Sequence, residues 1–236
     1  MLQRLNPRFD DICRKYWWFY PLFIKYRQTE KLSLVVESNT DLVIEGFPRS
    51  ANSFAFAAIT SSQPRPFKIA HHLHHEAQIC LAAHYKVPML ILIRHPVDAC
   101  VSMAIYCQDT DISGLLYRWV EFYNCAMKHA KHICFAEFNT VTHDIASVLR
   151  RLNCKFKSKL RVPASNEDIS AKATEDIVRF ACSLPGQARS RQIGLPDRRR
   201  NIKKAELKTE FLNGRTNKKL LEKAEQMYKA ICIQGM

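Results

Sequence analysis

Residues 42–54 read LVIEGFPRSANSF, and this stretch decides the fold. Its apolar start predicts a buried strand, which Gly46 and Pro48 break into a short polar turn, and a helix is predicted over residues 52–62. A strand that feeds a tight turn and then a helix directs unpaired backbone N–H groups and the positive end of the helix dipole at one place. We therefore predict a phosphate-binding loop, with an ordinary strand–turn–helix corner as the open alternative.

The predicted loop differs from the nucleotide-binding motif GxxxxGK[ST]. Counting from Gly46, Ala51 stands at the second glycine of that motif, Asn52 stands at its lysine, and only Ser53 is retained. No lysine is therefore present to reach the β and γ phosphates of a triphosphate, whereas Arg49 places a planar charge inside the turn. The loop is expected to bind a different phosphate group.

The composition suits a single compact domain that has an anionic partner. The 236 residues are 47% apolar and 25% charged, and 36 Lys and Arg against 22 Asp and Glu leave a net charge of +14. The nine cysteines include no CxxC pair, so neither a zinc site nor a disulfide framework is expected. Free thiols fit a reducing cytoplasm, and we predict a cytoplasmic protein.

The N-terminal segment, residues 1–31, is aromatic, basic and predicted to be helical. Residues 16–24 read YWWFYPLFI, which is shorter than the roughly 20 residues needed to span a bilayer. Basic residues flank this run, and residues 14–27 could therefore form a peripheral membrane contact. The alternative is that the segment packs on the domain as a helix. No secretory signal is recognised.

Apolar patterning predicts strands alternating with helices along most of the chain. Strands are predicted over residues 32–36, 42–45, 67–70, 87–93 and 132–136, and helices over 52–62, 77–85, 97–106, 114–131, 144–152, 167–182 and 218–232. This alternation indicates a P-loop-like three-layer α/β fold, with a central parallel sheet flanked by helices. We predict one domain over residues 1–236 with a helical C-terminal part, 154–236, that contains a basic loop at 189–208.

A second strand–turn–helix unit follows the first. The apolar run VPMLILI at residues 87–93 ends at Arg94, and His95 and Pro96 precede the next predicted helix. Ligands of parallel sheets bind beyond the carboxyl ends of the strands. The loops at 46–54 and 93–102 are therefore placed to share one ligand.

Together these two loops resemble those of the sulfotransferase family, whose first loop reads roughly PKSGTTW and whose second places an Arg and a Ser eight residues apart. Arg94 and Ser102 have that spacing. The resemblance implies that the first loop binds the 5′-phosphosulfate end of 3′-phosphoadenosine-5′-phosphosulfate (PAPS), and that Arg94 and Ser102 hold its 3′-phosphate. The implied nucleotide-binding residues of the first loop are Pro48, Arg49, Ser50, Ala51, Asn52, Ser53 and Phe54.

Three of these positions carry particular expectations. Arg49 stands at the lysine of the family and takes its catalytic role by resemblance, and Phe54 stands at the aromatic residue that stacks on adenine. Ala51 replaces the usual glycine. A Cβ atom there would crowd a turn that needs positive φ, which predicts a slightly different backbone curve.

The stretch KIAHHLHHE, residues 68–76, lies between the two loops and supplies the predicted base. His72-Leu73 resembles the His-Leu of the KTHLP-like segment whose histidine is the general base in the family. Histidine suits that task because its usual pKa is near neutral. His71, His74 and His75 remain open as alternatives. HExxH is absent, and no metal is expected.

Two further segments resemble the family more weakly. FNTVTHD, residues 138–144, resembles a segment that follows the fourth strand of the family and is interpreted as a fold marker. The basic residues 198–204 lie where sulfotransferases close a C-terminal loop on the 3′-phosphate.

The resemblance implies transfer of a sulfuryl group from PAPS, as co-substrate, to a hydroxyl or amine of a lipid, glycan or small-metabolite acceptor. Two alternatives stay open. A P-loop kinase for a small metabolite would bind ATP with Mg²⁺, and a non-catalytic basic module would bind nucleic acid or an anionic membrane. No RNA- or DNA-binding motif is present, so no specific nucleic acid partner is expected.

Overall fold

The structure is a computed structural model that describes residues 12, 16–108, 111–182, 198–214 and 218–235. Within these ranges the chain forms a four-stranded parallel sheet between two layers of helices, which confirms the predicted α/β fold. The strands are β1 (Leu42–Gly46), β2 (Ile69–His71), β3 (Met89–Ile93) and β4 (Ile133–Glu137). Their spatial order is β2-β1-β3-β4, so β1 and β3 are central and adjacent.

Helices connect and follow these strands. They are α1 (Tyr20–Arg27), α2 (Asn52–Ser62), α3 (Glu76–Tyr85), α4 (Pro96–Cys107), α5 (Ile112–Lys128), α6 (Phe138–His143), α7 (Ile145–Phe156), α8 (Asn166–Cys182), α9 (Arg198–Asn213) and α10 (Lys218–Gln234). Short 3₁₀ turns occupy Trp17–Phe19, Thr29–Leu34 and Ala130–His132. Helices separate successive strands, as parallel pairing requires.

The central strands are apolar on both sides because both faces of the sheet are covered. Val43 and Ile91 belong to the core on one face, where α1, α3, α4, α5 and α10 pack. Ile44 and Leu90 belong to the core on the other face, which is formed with α2, α6, α7 and α8. The register pairs Gly46 with Leu92, so the loops after β1 and β3 begin side by side.

The predicted strand at residues 32–36 is wrong. The chain forms a 3₁₀ turn at Thr29–Leu34 instead, and the side chain of Gln78 satisfies the backbone around it. Its Oε1 accepts a hydrogen bond from the Val36 N–H at 3.1 Å, and its Nε2 donates to the Leu34 carbonyl at 2.9 Å. Because a side chain supplies these partners, this backbone needs no neighbouring strand.

The predicted basic loop at 189–208 is also wrong from residue 198 onward, where α9 begins. Residues 198–208 contain several strong helix formers and neither Gly nor Pro, so propensity favours a helix there. Residues 189–197 lie outside the described residues. The helix places Lys204 and Lys208 against α4.

The N-terminal segment packs on the domain over the part that is described. Tyr20 and Ile24 of α1 are buried in the core, whereas Trp18 and Tyr26 are 64% and 74% exposed. The helical interpretation is therefore confirmed for Tyr20–Arg27, and residues 14 and 15 lie outside the described ranges. None of the helices in the described chain is both long and apolar enough to cross a membrane.

Candidate functional site

The first loop is held in shape by hydrogen bonds to its own start. Asn52, the first residue of α2, is buried and its Nδ2 donates to the Phe47 carbonyl at 3.3 Å. The Phe47 N–H donates to the Tyr123 hydroxyl at 3.3 Å, and that hydroxyl donates to the Leu92 carbonyl at 2.6 Å. Tyr123 therefore ties the loop after β1 to strand β3. Asn52, which stands at the lysine position of the GxxxxGK[ST] motif, closes the loop through its bond to the Phe47 carbonyl.

Two residues of this loop adopt left-handed backbone conformations. Arg49 has φ of 71° and Ala51 has φ of 73°. Ala51 thus takes the positive φ that a glycine adopts readily, in spite of its Cβ atom. A non-glycine residue in this region costs about 1–2 kcal/mol. Such strain concentrates at functional sites because the surrounding structure must enforce it.

The two loops predicted to share a ligand are in direct contact. The Arg49 Nε donates to the Ser102 Oγ at 3.3 Å, and the Arg94 Nη1 donates to the Arg49 carbonyl at 3.1 Å. Ser102 is buried in α4, two turns after Arg94. Three of the predicted residues are therefore assembled at the carboxyl ends of the central strands.

The remaining predicted residues of the loop differ in exposure. Ser50 is fully buried, Pro48 is half-buried and Ser53 is exposed. Phe54 is half-buried and packs against the core on the α2 face of the sheet. Another aromatic ring, that of Phe138, lies 4.2 Å from the Arg94 guanidinium carbon.

Positive charge is concentrated around the two loops. Burial lowers the pKa of Arg49 and Arg94 from its usual high value, and repulsion from Arg200 and, to a smaller degree, from Arg94 adds to the shift at Arg49. Burial also lowers the pKa of Lys204 on α9, and repulsion from Arg94, Arg49 and Arg200 lowers it further. Four neighbouring cations favour an anion between them.

A cleft of about 240 Å³ opens between α4 and α9 beside Arg94. An ion pair crosses it, because the Lys208 Nζ lies 2.7 Å from the Asp98 Oδ1. The cleft is lined by Arg94, Asp98, Val101, Asn201, Lys204, Ala205 and Lys208. Sequence reasoning placed residues 198–204 near the ligand as a loop, and the structure has Lys204 on a helix beside Arg94.

The helices after the central strands begin without a side-chain cap from any described residue, at Ala51 for α2 and at His95 for α4. The helices after the edge strands are capped. His75 Nδ1 accepts from the Ala77 N–H at 3.1 Å, and a Glu137 oxygen accepts from the Asn139 N–H at 2.6 Å. Among the described residues, therefore, no side chain caps the first turn of α2 or of α4, and the start of a helix is a position that favours an anion.

The histidine segment lies against the first loop. The Nε2 of His72 lies 2.9 Å from the Ser53 hydroxyl, and the His72 Nδ1 contacts the Nδ1 of His71. His72 and His74 have φ of 59° and 53°, so the chain reverses sharply after β2. The predicted base is thus joined to the predicted phosphate loop by a hydrogen bond.

Burial keeps three of these histidines neutral near pH 7. It lowers the pKa of His71 and of His72 to about 4, and that of His74 to about 3. Neutral imidazole can accept a proton, although a pKa near 4 makes it a weak base. An anion bound beside His72 would raise this pKa by favouring the charged form.

The other two alternatives for the base have defined contacts. The neutral His74 ring carries its proton on Nδ1, because that atom lies 2.8 Å from the Gly46 carbonyl and only an N–H can donate there. Its Nε2 is therefore an acceptor. His75 caps α3 and stacks on the ring of Tyr20 at a centroid distance of 4.7 Å, which gives it a structural role.

Sequence reasoning missed Glu45. This residue of β1 is fully buried, and its two carboxylate oxygens accept from the Leu73 and His74 N–H groups, each at 2.9 Å. Burial raises its pKa to about 7 in spite of these hydrogen bonds. Glu45 thereby holds the turn that carries the histidines. A lone charge inside an apolar strand was the available signal.

Comparison with known proteins gives a limited result. No family model matches the chain, and no curated protein is significantly similar to it in sequence. Among solved structures, the chain is similar to a crystal structure of the mouse sulfotransferase SULT7A1 complexed with PAP. The identity is 13%, the match covers 85% of this chain and 92% of that chain, and the TM-score is 0.48.

Proposed function

We propose that the chain is a sulfotransferase, which moves a sulfuryl group from PAPS to a hydroxyl or amine of an acceptor. The observation that carries the proposal is the contact of Arg49 with both Arg94 and Ser102, at the adjoining ends of β1 and β3. This contact joins the two sequence elements that resemble the nucleotide-binding loops of sulfotransferases. The resemblance therefore rests on residues that are neighbours in space.

The donor set suits a ligand with two anionic ends. Arg49 and the uncapped start of α2 would bind the 5′-phosphosulfate end. The 3′-phosphate would be bound by Arg94, Ser102 and the uncapped start of α4, and by Lys204, which lines the same cleft as Arg94. No lysine occupies the lysine position of the GxxxxGK[ST] motif, where Asn52 instead donates a hydrogen bond to the Phe47 carbonyl. A triphosphate lacks its usual partner here, which disfavours the kinase alternative.

His72 would take the proton of the acceptor hydroxyl on Nε2, at the place where Ser53 now contacts it. The acceptor oxygen attacks sulfur in line, a new O–S bond forms, and the bond between sulfur and the phosphate oxygen breaks. Arg49 and the N–H groups of the loop stabilise the charge that grows on the departing oxygen. The proton then passes from His72 to solvent, and positioning supplies much of the rate.

Nucleotide binding tests the proposal. The protein should bind 3′-phosphoadenosine-5′-phosphate (PAP) with micromolar affinity in calorimetry, and Arg94→Ala should weaken it by roughly 10- to 100-fold, the value of a charge-assisted hydrogen bond. Arg150→Ala is the matched control, because Arg150 is exposed on α7. Binding of ATP with Mg²⁺ but not PAP would favour a kinase. Salt-sensitive binding of any polyanion, with no preference for PAP, would favour a basic module.

We also propose that the N-terminal segment contacts an anionic membrane surface. Trp18 and Tyr26 are mostly exposed next to Lys25 and Arg27, which combines interfacial aromatics with positive charge. The protein should sediment with vesicles that contain an anionic phospholipid and not with zwitterionic ones. Replacing Trp18 and Tyr26 by Ala should abolish this, whereas Tyr117→Ala, on exposed α5 surface, should not. Equal sedimentation of all variants would contradict the proposal.

A further inference from the structure

A second cluster of reactive side chains lies on α3 and at the end of α5, apart from the residues assigned to sulfuryl transfer. The Sγ atoms of Cys80 and Cys125 are 3.8 Å apart, and the Cys80 Sγ lies 3.9 Å from the His129 Nε2. The three potential ligand atoms all lie within 4.8 Å of one another. Each side chain is half-buried, so solvent and ions can reach the cluster. The proposed transfer uses none of them.

Two of the three separations are close to those of a tetrahedral metal site. Zinc binds sulfur at about 2.3 Å and imidazole nitrogen at about 2.0–2.1 Å, so tetrahedral angles place two sulfurs about 3.8 Å apart and sulfur and nitrogen about 3.6 Å apart. The two distances from the Cys80 Sγ, 3.8 and 3.9 Å, fit these values, and the third pair, Cys125 Sγ and His129 Nε2, lies within 4.8 Å and would close by rotation of a side chain. A disulfide would instead require the sulfurs to approach to about 2.05 Å.

We propose that Cys80, Cys125 and His129 bind one Zn²⁺ ion, with water at the fourth position. Both thiols lose their protons to solvent when the metal binds, because thiolate is the ligand. Two thiolates and one imidazole are a soft to borderline set that suits Zn²⁺ better than Mg²⁺ or Ca²⁺. No metal was expected because no familiar ligand spacing occurs along the sequence. The proposed ligands come from two helices that are distant in sequence, so that spacing could not reveal them.

The local structure accounts for the arrangement. Cys125 and His129 are four residues apart at the end of α5, a spacing that puts both on one side of a helix. Cys80 faces them from the second turn of α3. Because α3 starts at Glu76, directly after the histidine segment, the ion would fasten that helix to α5. Zinc would therefore stabilise the packing of α3 on α5, close in sequence to the turn that carries His72.

Metal titration tests the site without any assay of transfer. Chelator-treated protein should bind one equivalent of Zn²⁺ per chain in competition with a chromophoric chelator, and Co²⁺ should give the absorption of a tetrahedral thiolate complex. Cys80→Ser and Cys125→Ser should each weaken Zn²⁺ binding by at least about 100-fold, and His129→Gln by at least about 10-fold, since loss of a direct ligand exceeds loss of an outer partner. Cys154→Ser and His132→Gln are the matched controls and should bind as the wild type does.

Thermal unfolding gives a second readout that tolerates some loss of stability in the variants. Zn²⁺ at a hundredfold excess over the Kd of the wild type should raise the Tm of the wild type by roughly 5–10 °C and that of Cys80→Ser by at most about 2 °C. Zinc binding that survives Cys80→Ser and Cys125→Ser would overturn the proposal. The proposal would also be overturned if the protein formed a stable Cys80–Cys125 disulfide when isolated and, after reduction of that disulfide, bound no zinc. Neither result would bear on PAP binding, so this inference and the proposed function fail separately.

Discussion

The helices after the central strands β1 and β3 begin differently from those after the edge strands β2 and β4. At the edges, the His75 and Glu137 side chains cap the next helix. At the centre, neither α2 nor α4 has such a cap from the described residues, and Arg49 and Arg94 lie beside their first turns. The same strand–turn–helix topology therefore carries a side-chain cap at the edges and, among the described residues, none at the centre, where Arg49 and Arg94 add positive charge.

Backbone strain follows a related division. Arg49, Ala51, His72 and His74 have positive φ in the loops after β1 and β2. The other described non-glycine residues with positive φ, which are Lys86, Gln108 and Lys157, end helices, where this conformation is usual. Among the described residues, strain without a capping role is thus confined to the two loops that Ser53 and His72 join. The comparison predicts that changes in these two loops affect the ligand or turnover, and that changes at the capping residues His75 and Glu137 affect stability.

The largest effect is expected for His72→Ala. General base catalysis contributes about 10²- to 10⁴-fold, so sulfuryl transfer from PAPS should fall by that factor while PAP affinity stays nearly unchanged. Turnover and calorimetry measure the two quantities. His132→Ala, outside the site, is the control. An unaffected rate would move the role of base to His74, whose Nε2 is an acceptor, or to His71.

Glu45→Gln should change how stability depends on pH. The folded-state pKa of Glu45, about 7, lies above its usual 4.5, so its contribution is fully present below pH 4.5 and is lost as pH rises through 7. Over that window the unfolding free energy of the wild type should fall relative to the variant by up to about 3 kcal/mol. Denaturant titration at several pH values measures this.

Two features sharpen the Glu45 experiment. The lowered pKa values of His71, His72 and His74 remove stability as pH falls below 6.5, which is the opposite sign. Because the Glu45 Oε2 lies 3.5 Å from the His74 Nδ1, the contribution of Glu45 is read from the difference between the two proteins above pH 6.5, where these histidines are neutral in both the folded and the unfolded chain. Glu167→Gln, at an exposed position of α8, should show no such change. A constant difference between wild type and Glu45→Gln would mean that Glu45 does not titrate in this range.

Glu137→Ala tests the edge side of the comparison. Loss of the cap of α6 should cost about 1 kcal/mol and lower the Tm by roughly 2–4 °C. PAP affinity should not decrease, because Glu137 is an acidic neighbour of Arg94 and its removal frees positive charge. A loss of PAP binding without a loss of stability would contradict the assignment of ligand binding to the central loops and of stability to the capped helices at the edges.

The smallest effect is expected for Ala51→Gly. Glycine tolerates φ of 73°, so the substitution should stabilise the protein by up to about 1 kcal/mol, after the greater freedom of glycine in the unfolded chain is subtracted. Ala57→Gly, within α2, is the control and should destabilise by up to about 1 kcal/mol. Thermal unfolding separates the two signs. Destabilisation by both substitutions would show that Ala51 is not strained.

Local patterns in the sequence predicted much of the fold and brought out three residues of the candidate site that are in contact. The helix predicted over residues 52–62 has those bounds in the structure, and the Arg94–Ser102 spacing located two residues that both contact Arg49. These features were predictable because a strand, its turn and the next helix are contiguous in the chain. The parallel sheet then brings successive units to one edge.

Contacts between distant residues were not predictable in the same way. Tyr123 lies on the inward face of α5, four residues after Trp119, but nothing in the sequence shows that its hydroxyl reaches the loop after β1. Gln78 replaces a strand partner for residues 34–36, and Cys80 meets Cys125 across 45 positions. Each depends on how helices pack on the sheet, which local periodicity does not encode.

The most direct measurement of the central claim is a binding cycle with and without the 3′-phosphate. Calorimetry would compare PAP with adenosine 5′-monophosphate, for the wild type and for Arg94→Ala. If Arg94 holds the 3′-phosphate, the wild type should prefer PAP, and Arg94→Ala should lose that preference, with a coupling free energy of about 1.5–3 kcal/mol. Equal losses of affinity for both nucleotides, with no coupling, would contradict a two-loop site for a 3′-phosphorylated nucleotide.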